Sequence, residues 1–412
     1  MKAFVEAYGC ALNFGESREI EAVLAGNGWE LVDEAEDCDL AVLATCVVIE
    51  TTERAMLKRI SELSKAPRLV ITGCMATTCR EKAERIAPNA VFVPPADMNE
   101  FTRVVGLGEC ASRDVALQGD SYGIVPIATG CLGNCAYCIT RLARGELRSR
   151  PPSRILASVR LLASNGPREI QLTAQDTASY GADIGSDLPS LVKKICDIDA
   201  DFRLRTGMMN PRSALPMVEA LGKMYRHPKV FKFLHLPVQS ASDRLLSLMN
   251  RGYTVANFED IVARLREMVP GISFSTDLIV GYPGETEEDQ ELNLHMISRT
   301  RPDIVNVTRF SARPRTKALE QGPAVVGRKA KDRSRELTAL RFKVALENNN
   351  AWVGRHVRAL ATERGKGRST ILRTDEYRQV VVPEVLGLGK YYDIALRRAT
   401  ATYLVGSRTD AR

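Results

Sequence analysis

Six short apolar runs, spaced roughly 30–45 residues apart with helical patterns between them, constrain the middle of this chain more than any other feature. They are Ile124–Thr129, Glu169–Ala174, Phe202–Thr206, Phe231–Leu236, Ser273–Val280 and Ile304–Phe310; the intervening helical patterns include Ser153–Ser164, Ala214–Met224 and Asn257–Met268. Strands alternating with helices favour a parallel sheet, and six such units in succession predict a parallel barrel or partial barrel rather than a short open sheet. In that architecture the chemistry sits where the strands end and their following loops begin.

A smaller alternation precedes it. Strand-like runs at Ala3–Tyr8, Leu40–Thr45, Arg68–Thr72 and Ala90–Val93, with helices at Glu16–Asn27, Glu53–Lys65 and Thr78–Ile86, predict an α/β unit whose parallel sheet is covered on both faces. Gly106–Ser121 is weakly patterned and is the expected linker. Ala330–Asn349 reads as a charged helix with Leu337, Leu340, Val344 and Leu346 along one side. From about Ala351 the chain turns rich in β-formers and glycine, at Trp352-Val353-Gly354, Val357–Thr362, Thr370–Thr374, Gln379–Val382 and Tyr391–Leu404, which suggests a small β-barrel of OB-like size. The fold class is thus α/β with a small β-barrel appended, in three domains at residues 1–108, 120–348 and 349–408. The length of 412 residues agrees with two or three domains at about 150 residues each.

Charge divides along the same lines. Residues 1–110 carry 11 Lys/Arg against 18 Asp/Glu, residues 111–310 carry 24 against 22, and residues 311–412 carry 22 against 10, so the formal net +7 arises at the C-terminal end. That asymmetry points to a polyanion-binding module joined to something else. Apolar residues at 45% and charged ones at 26% exclude a disordered, collagenous or coiled-coil chain. No window approaches the ~18 uninterrupted apolar residues of a membrane span. Met1–Glu6 runs into a strand-like segment without an apolar leader, so a cytoplasmic protein is expected.

Ten cysteines in a chain of this length are too sparse for a disulfide scaffold. Three of them form Cys131-Leu132-Gly133-Asn134-Cys135-Ala136-Tyr137-Cys138, a C-x3-C-x2-C introduced by Gly130 just after the first strand of the barrel series. Three thiolates within eight residues can wrap one corner of an iron–sulfur cluster and leave one iron open. A zinc site would need a fourth Cys or His nearby; the closest later cysteine is Cys196, and His227, His235, His295 and His356 show no ligand spacing. A second set, Cys10 after Tyr8-Gly9, Cys46 after Ala44-Thr45 and Cys74 after Thr72-Gly73, lies just past three predicted strand ends, which a parallel sheet brings to one edge. Cys38, Cys79, Cys110 and Cys196 have no such placement and read as structural.

The C-x3-C-x2-C after the first strand of a βα series resembles the signature of the radical S-adenosylmethionine (SAM) superfamily. The resemblance implies that Cys131, Cys135 and Cys138 hold a 4Fe-4S cluster that chelates SAM and releases a 5′-deoxyadenosyl radical from it. With Tyr8-Gly9-Cys10-Ala11-Leu12-Asn13, Ala44-Thr45-Cys46 and Thr72-Gly73-Cys74-Met75-Ala76, nearly the whole chain resembles the methylthiotransferase family. That implies a second 4Fe-4S cluster on Cys10, Cys46 and Cys74 and a C-terminal RNA-binding TRAM domain. SAM contacts are implied at Gln175 and Asp176 after the second strand, Arg205 on the third, Gln239 and Ser240 after the fourth, and Gly281, Pro283 and Gly284 after the fifth. Gly281–Thr286 lacks the lysine of a phosphate-binding P-loop. Ala44, Ala174 and Ala241 depart from the family's usual Asn, Gly and Gly.

The flanks Ile139-Thr140-Arg141 and Ala143-Arg144-Gly145 resemble the branch acting on threonylcarbamoyladenosine beside the tRNA anticodon. The partners implied are the tRNA anticodon loop and an electron-donor protein, with a monomer expected and the sulfur source open. Arg355, Arg358, Arg364, Lys366, Arg368, Arg373, Lys390, Arg397 and Arg398 would meet phosphates, and Tyr377, Tyr391 and Tyr392 could stack on unpaired bases. A ribosomal-protein aspartate methylthiotransferase would favour an acidic final barrel, whereas this one is basic. A non-catalytic metal-containing tRNA-binding protein is the alternative of a different class.

Overall fold

The computed structural model describes residues 1–107, 122–165 and 168–409; most of the expected linker, with Cys110, lies outside them. Five strands open the chain: β1 (Lys2–Ala7), β2 (Glu30–Leu31), β3 (Leu40–Thr45), β4 (Leu69–Gly73) and β5 (Val91–Phe92). They form one parallel sheet in the order β2-β1-β3-β4-β5. Strand β3 is buried along its whole length because both faces are covered: Leu40 and Val42 enter one apolar cluster, Ala41 and Leu43 the other. Register then sets the edge. Ala7 pairs with Ala44 and Thr45 with Gly73, so β1, β3 and β4 end together. Gly73 has φ +81°, and a Cβ there would stand 2.4 Å from the Thr45 carbonyl oxygen; only glycine lets these strand ends close up.

The second unit contains β6 (Tyr122–Pro126), β9 (Glu169–Thr173), β10 (Arg203–Thr206), β11 (Phe233–His235), β12 (Ser273–Val280) and β13 (Ile304–Arg309), with a short antiparallel pair, β7 (Ala128–Thr129) and β8 (Arg148–Ser149), beside them. The six longer strands make two parallel sheets, β10-β9-β6 and β11-β12-β13, joined by a bridge between Leu204 and Val230. The result is a six-stranded partial barrel with helices outside. The helix Gly327–Asn350 closes its flank, with Leu337 and Val344 in the core and Leu340 against it. Leu346, expected on the same side, is exposed. A buried Arg333–Glu285 ion pair (2.6 Å) ties this helix to the loop after β12.

The last five strands, β14 (His356–Arg364), β15 (Thr370–Arg373), β16 (Gln379–Val382), β17 (Tyr391–Ala399) and β18 (Leu404–Arg408), form a closed barrel in the order β14-β15-β16-β18-β17. The expected single run Tyr391–Leu404 is interrupted where Thr400 hydrogen-bonds back to Tyr403 and reverses the chain.

A loop of this small barrel plugs the end of the partial barrel where β9–β11 begin. Tyr377, at φ +63°, places its ring 4.9 Å from Phe231 and 5.1 Å from Phe233, and its hydroxyl donates to Glu169 at 2.5 Å. Asp375 pairs with Arg203 (2.5 Å) and Arg378 with Asp303 (2.7 Å). The expectation that Tyr377 stacks on RNA is therefore corrected: its ring is committed to holding two parts of the chain together. Tyr391 and Tyr392 remain half-buried. Arg373 is likewise engaged, pairing with Glu363 and lying over Tyr377, while the other eight basic residues named above are exposed. Tyr377→Ala should lower stability by about 3–5 kcal/mol, read as a lower urea midpoint, because it removes a packed ring and one of the two hydrogen bonds that Glu169 accepts, the other coming from Gln171. Tyr377→Phe, which keeps the ring, should cost about 1–2 kcal/mol.

Candidate functional site

The first cysteine triad forms where β1, β3 and β4 end. Cys10 starts the helix Ala11–Gly26 and is exposed; Cys46 and Cys74 are buried. Gly9, at φ +104°, lies so close that a Cβ there would come within 2.9 Å of the Cys46 sulfur. Asn13 fastens the edge, donating to the carbonyls of Tyr8 (2.7 Å) and Thr45 (2.9 Å), two residues before Cys10 and one before Cys46. Burial pushes the Cys74 thiol up to about 12, against the pull of the Arg144 guanidinium beside it; Cys10 and Cys46 push it further up. Burial also raises Cys46, and Cys10 adds to that. The three thiols are thus electrostatic neighbours.

The second triad lies in the loop from β7 to the helix Ile139–Arg144. Gly130, at φ +74°, is required because a Cβ would fall 1.8 Å from the Glu146 carbonyl oxygen. The Gly133 amide donates to the Cys131 sulfur (3.2 Å), and Arg251 donates to the Cys135 sulfur (3.2 Å). Burial raises the Cys131 thiol to about 11, and Asp176, Cys138 and Cys135 push it the same way. Cys138 is raised by burial and by Cys135. Arg251 is itself buried and also binds Tyr253, Tyr137 and the Pro237 carbonyl, so it fixes the loop against the end of β11. Among the described residues no three His, Cys, Asp or Glu side chains are placed to hold a single metal ion. Thiolates on one zinc crowd around a single centre, whereas cluster ligands bind separate irons and stand further apart.

The residues expected to touch SAM divide into two groups. Gln239 (φ +74°) lines a cavity together with Cys138. Gln175 has a buried side-chain oxygen without a hydrogen-bond partner among the described residues, a group that awaits a donor. Asp176 is buried and its carboxylate is occupied by the amides of Ala178 and Asn210 and by Ser213, which sets the Asn210 loop beside Cys131 and Cys135. The other five positions are engaged elsewhere. Arg205 lies inside the barrel, bonded to Gln171 and facing the Phe233 and Tyr377 rings. Ser240 accepts the Ser242 amide in a turn. Gly281 approaches Ala330 of the long helix, where a Cβ would clash at 2.8 Å, and Pro283 is buried next to it. Gly284 is exposed and accepts from Arg244.

The two triads share a helix. Ile139–Arg144 begins at Cys138, lends Ile139 and Ala143 to the core under β3 and β4, and ends with Arg144 beside Cys74. Arg144 is buried, pairs with Glu16 (2.6 Å) and donates to Asn13 (2.6 Å). Sequence spacing quoted Arg144 only as a flank of the cysteine motif and gave no sign of this partner; Asn13, Asn210 and Arg251 were missed for the same reason. Beside Cys138 opens a cavity of about 260 Å³. Val48 and Ile49, just beyond Cys46, line one wall; Cys138, Gln239, Asp277, Asn306, Thr308 and Arg309 line the others. Asp277 is held by His235 (3.0 Å) and Asn306 (2.7 Å), which leaves Arg309 as the cation on that lining. Cys38 and Cys79 lie in the apolar core of the first unit and Cys196 in that of the partial barrel.

Comparison with known proteins places this site in a family. Residues 125–296 match the Radical SAM superfamily, and residues 2–94 match an uncharacterized protein family, UPF0004. The probable threonylcarbamoyladenosine tRNA methylthiotransferase of Archaeoglobus fulgidus is 37% identical over 98% of this chain and 98% of its own length. That of Pyrococcus horikoshii is 36% identical over 98% and 99%. The fold is similar to that of the radical SAM methyltransferase TsrM from Kitasatospora setae, with a TM-score of 0.56 at 15% identity, covering 77% of this chain and 76% of that one. The radical SAM match brings with it SAM and a 4Fe-4S cluster. With identity of this level running end to end, the chain belongs to the threonylcarbamoyladenosine tRNA methylthiotransferase family of radical SAM enzymes.

Proposed function

We propose that this enzyme replaces the hydrogen on carbon 2 of threonylcarbamoyladenosine, beside the tRNA anticodon, with a methylthio group, using two 4Fe-4S clusters in the cytoplasm. Cys131, Cys135 and Cys138 hold one cluster, and Cys10, Cys46 and Cys74 the other. Three domains divide the labour: residues 1–108 carry the sulfur, 120–348 bind and cleave SAM, and 349–408 grip the RNA. The observation that carries this reading is the cavity lined by Cys138 on one side and by Val48 and Ile49, just after Cys46, on the other.

The cluster on the second triad, when bound, supplies the electron that cleaves SAM. Overall a C–H bond breaks, its hydrogen leaving on 5′-deoxyadenosine, and a C–S bond forms. A second SAM gives the methyl group and leaves as S-adenosylhomocysteine. Sulfur entering as sulfide balances the electrons, because the electron that cleaves SAM is returned when the C–S bond forms; a one-electron donor protein primes the cycle. The chain's own residues do the positioning. Arg251 and the Gly133 amide orient the thiols of Cys135 and Cys131, Asp176 holds the Asn210 loop against them, and Gln175 and Gln239 offer hydrogen bonds to SAM. Asn306 and Asp277 give the base polar partners, and Arg309 suits the carboxylate of the threonyl group. The exposed arginines and lysines of the last barrel hold the phosphates.

Mass spectrometry of tRNA nucleosides from cells with and without the gene should show the methylthio form of threonylcarbamoyladenosine only where the gene is present; an unchanged level would disprove the substrate. Cys138→Ala should abolish 5′-deoxyadenosine formation, whereas Cys46→Ala should preserve it and block sulfur insertion. Loss of both activities in Cys46→Ala would contradict the division between triads. Arg309→Glu should raise KM for the tRNA by about tenfold or more while changing kcat less, since it places like charges together.

A further inference from the structure

Arg144 reaches from the helix of the second triad to the first. Two of its three nitrogens are spoken for: Nη1 donates to Glu16 at 2.6 Å, and Nη2 donates to Asn13 at 2.6 Å and to Glu16 at 2.9 Å. Its Nε–H is buried and has no acceptor among the described residues. Other buried arginine Nε atoms are likewise unmet among the described residues; what distinguishes Arg144 is that its unmet donor belongs to a guanidinium set beside a cysteine of the first triad. The guanidinium lies against Cys74, the most deeply buried thiol of the first triad. Sulfur atoms of a cluster on that triad would bring an acceptor.

We propose that Arg144 is a positioning residue of the N-terminal cluster: its Nε–H donates to a sulfur of the Cys74 corner, while Glu16 and Asn13 hold its terminal nitrogens and so aim it there. This rests on the two-cluster reading above. Two consequences follow from the geometry. First, an N–H donor carrying positive charge favours the more negative, reduced form of a cluster and so raises its reduction potential. Second, because Arg144 lies six residues after Cys138 on the same short helix, the spacing between the two clusters is set by rigid helix rather than by a loop.

The Glu16 pairing matters for the test. Removing Arg144 alone strands a buried carboxylate, which threatens the fold. The comparison is therefore made with Arg144→Lys and with the charge-neutral double variant Glu16→Gln/Arg144→Gln. All are built in the full chain bearing Cys131→Ala, Cys135→Ala and Cys138→Ala, so that only the N-terminal cluster is read. After anaerobic reconstitution each should retain about four irons per chain. A redox titration followed by electron paramagnetic resonance should show the midpoint moved to more negative potential, furthest in the double variant and less in Arg144→Lys, which restores charge without the planar donor. A merely structural role would change the unfolding temperature and leave the midpoint alone. An unchanged midpoint in the double variant overturns the proposal. Loss of iron from both variants in a chain that is still folded overturns it too, since a donor of this kind tunes a cluster that three thiolates already hold. If the chain with Arg144 intact binds no iron, the two-cluster reading itself fails.

Discussion

Everything at the site depends on how closely three parallel strand ends can be brought together. A strand that stops one residue early or late turns its side chains to the other face. The register Ala7–Ala44 and Thr45–Gly73 therefore decides where Cys10, Cys46 and Cys74 stand. Glycine at 9 and 73 then removes the only atoms that would hold the ends apart. The polar groups freed by ending three strands in a buried place are met by one residue, Asn13, and by Thr45, whose hydroxyl donates to the Thr72 carbonyl and accepts the Met75 amide. Those backbone groups are satisfied before any ligand is considered.

The second constraint is the meeting of the two halves. The helix Ala11–Gly26 lies against β6 so closely that a Cβ at Gly15 would stand 2.9 Å from both Ile124 and Pro126. Around that contact sit ion pairs crossing from one half to the other: Arg144 with Glu16, Arg150 with Glu19, and Arg313 with Glu53. Buried pairs of this kind contribute little net stability, because the cost of desolvating two charges offsets their attraction. What they supply is direction: a charge left unpaired in the interior is expensive, so alternative arrangements of the halves are disfavoured. For a cavity walled by residues of both halves, fixed orientation matters more than tight association.

Much of this was legible in the sequence where the signal is continuous along the chain. Leu40–Thr45 and Ser273–Val280 fold as strands residue for residue with expectation, since each is a long run with apolar residues on at least one buried face. The two-residue strand Glu30–Leu31 carries no period and was invisible; it exists because β1 offers it an edge. The position of Cys10, Cys46, Cys74 and Cys131 just beyond strand ends was legible, because topology alone fixes it. The SAM contacts were less so. A motif gives a residue's place along a strand and not its neighbours: Arg205 ends among Phe233 and Tyr377, and Gly281 is explained by Ala330, fifty residues away in sequence and adjacent in space. Tyr377 was misread for the same reason, an aromatic ring in a basic segment being as suited to a core as to a nucleobase.

The basic C-terminal end also resolves into two populations with different work. Arg373 and Arg378 are half-buried: Arg373 pairs with Glu363 inside the small barrel, and Arg378 reaches Asp303 across the junction with the partial barrel. Their charges are spent inside the molecule and contribute little to the field outside. The residues that remain exposed, from Arg355 and Arg358 through Lys366 and Arg368 to Arg397 and Arg398, lie on one small closed barrel. A closed barrel has no edge to pair with another strand, so what its surface offers a partner is side-chain charge. The junction that absorbs Tyr377 also fixes that charged surface relative to the partial barrel. An RNA held there is held at a set distance from the cavity, which is what an enzyme acting on one nucleotide of a folded RNA requires.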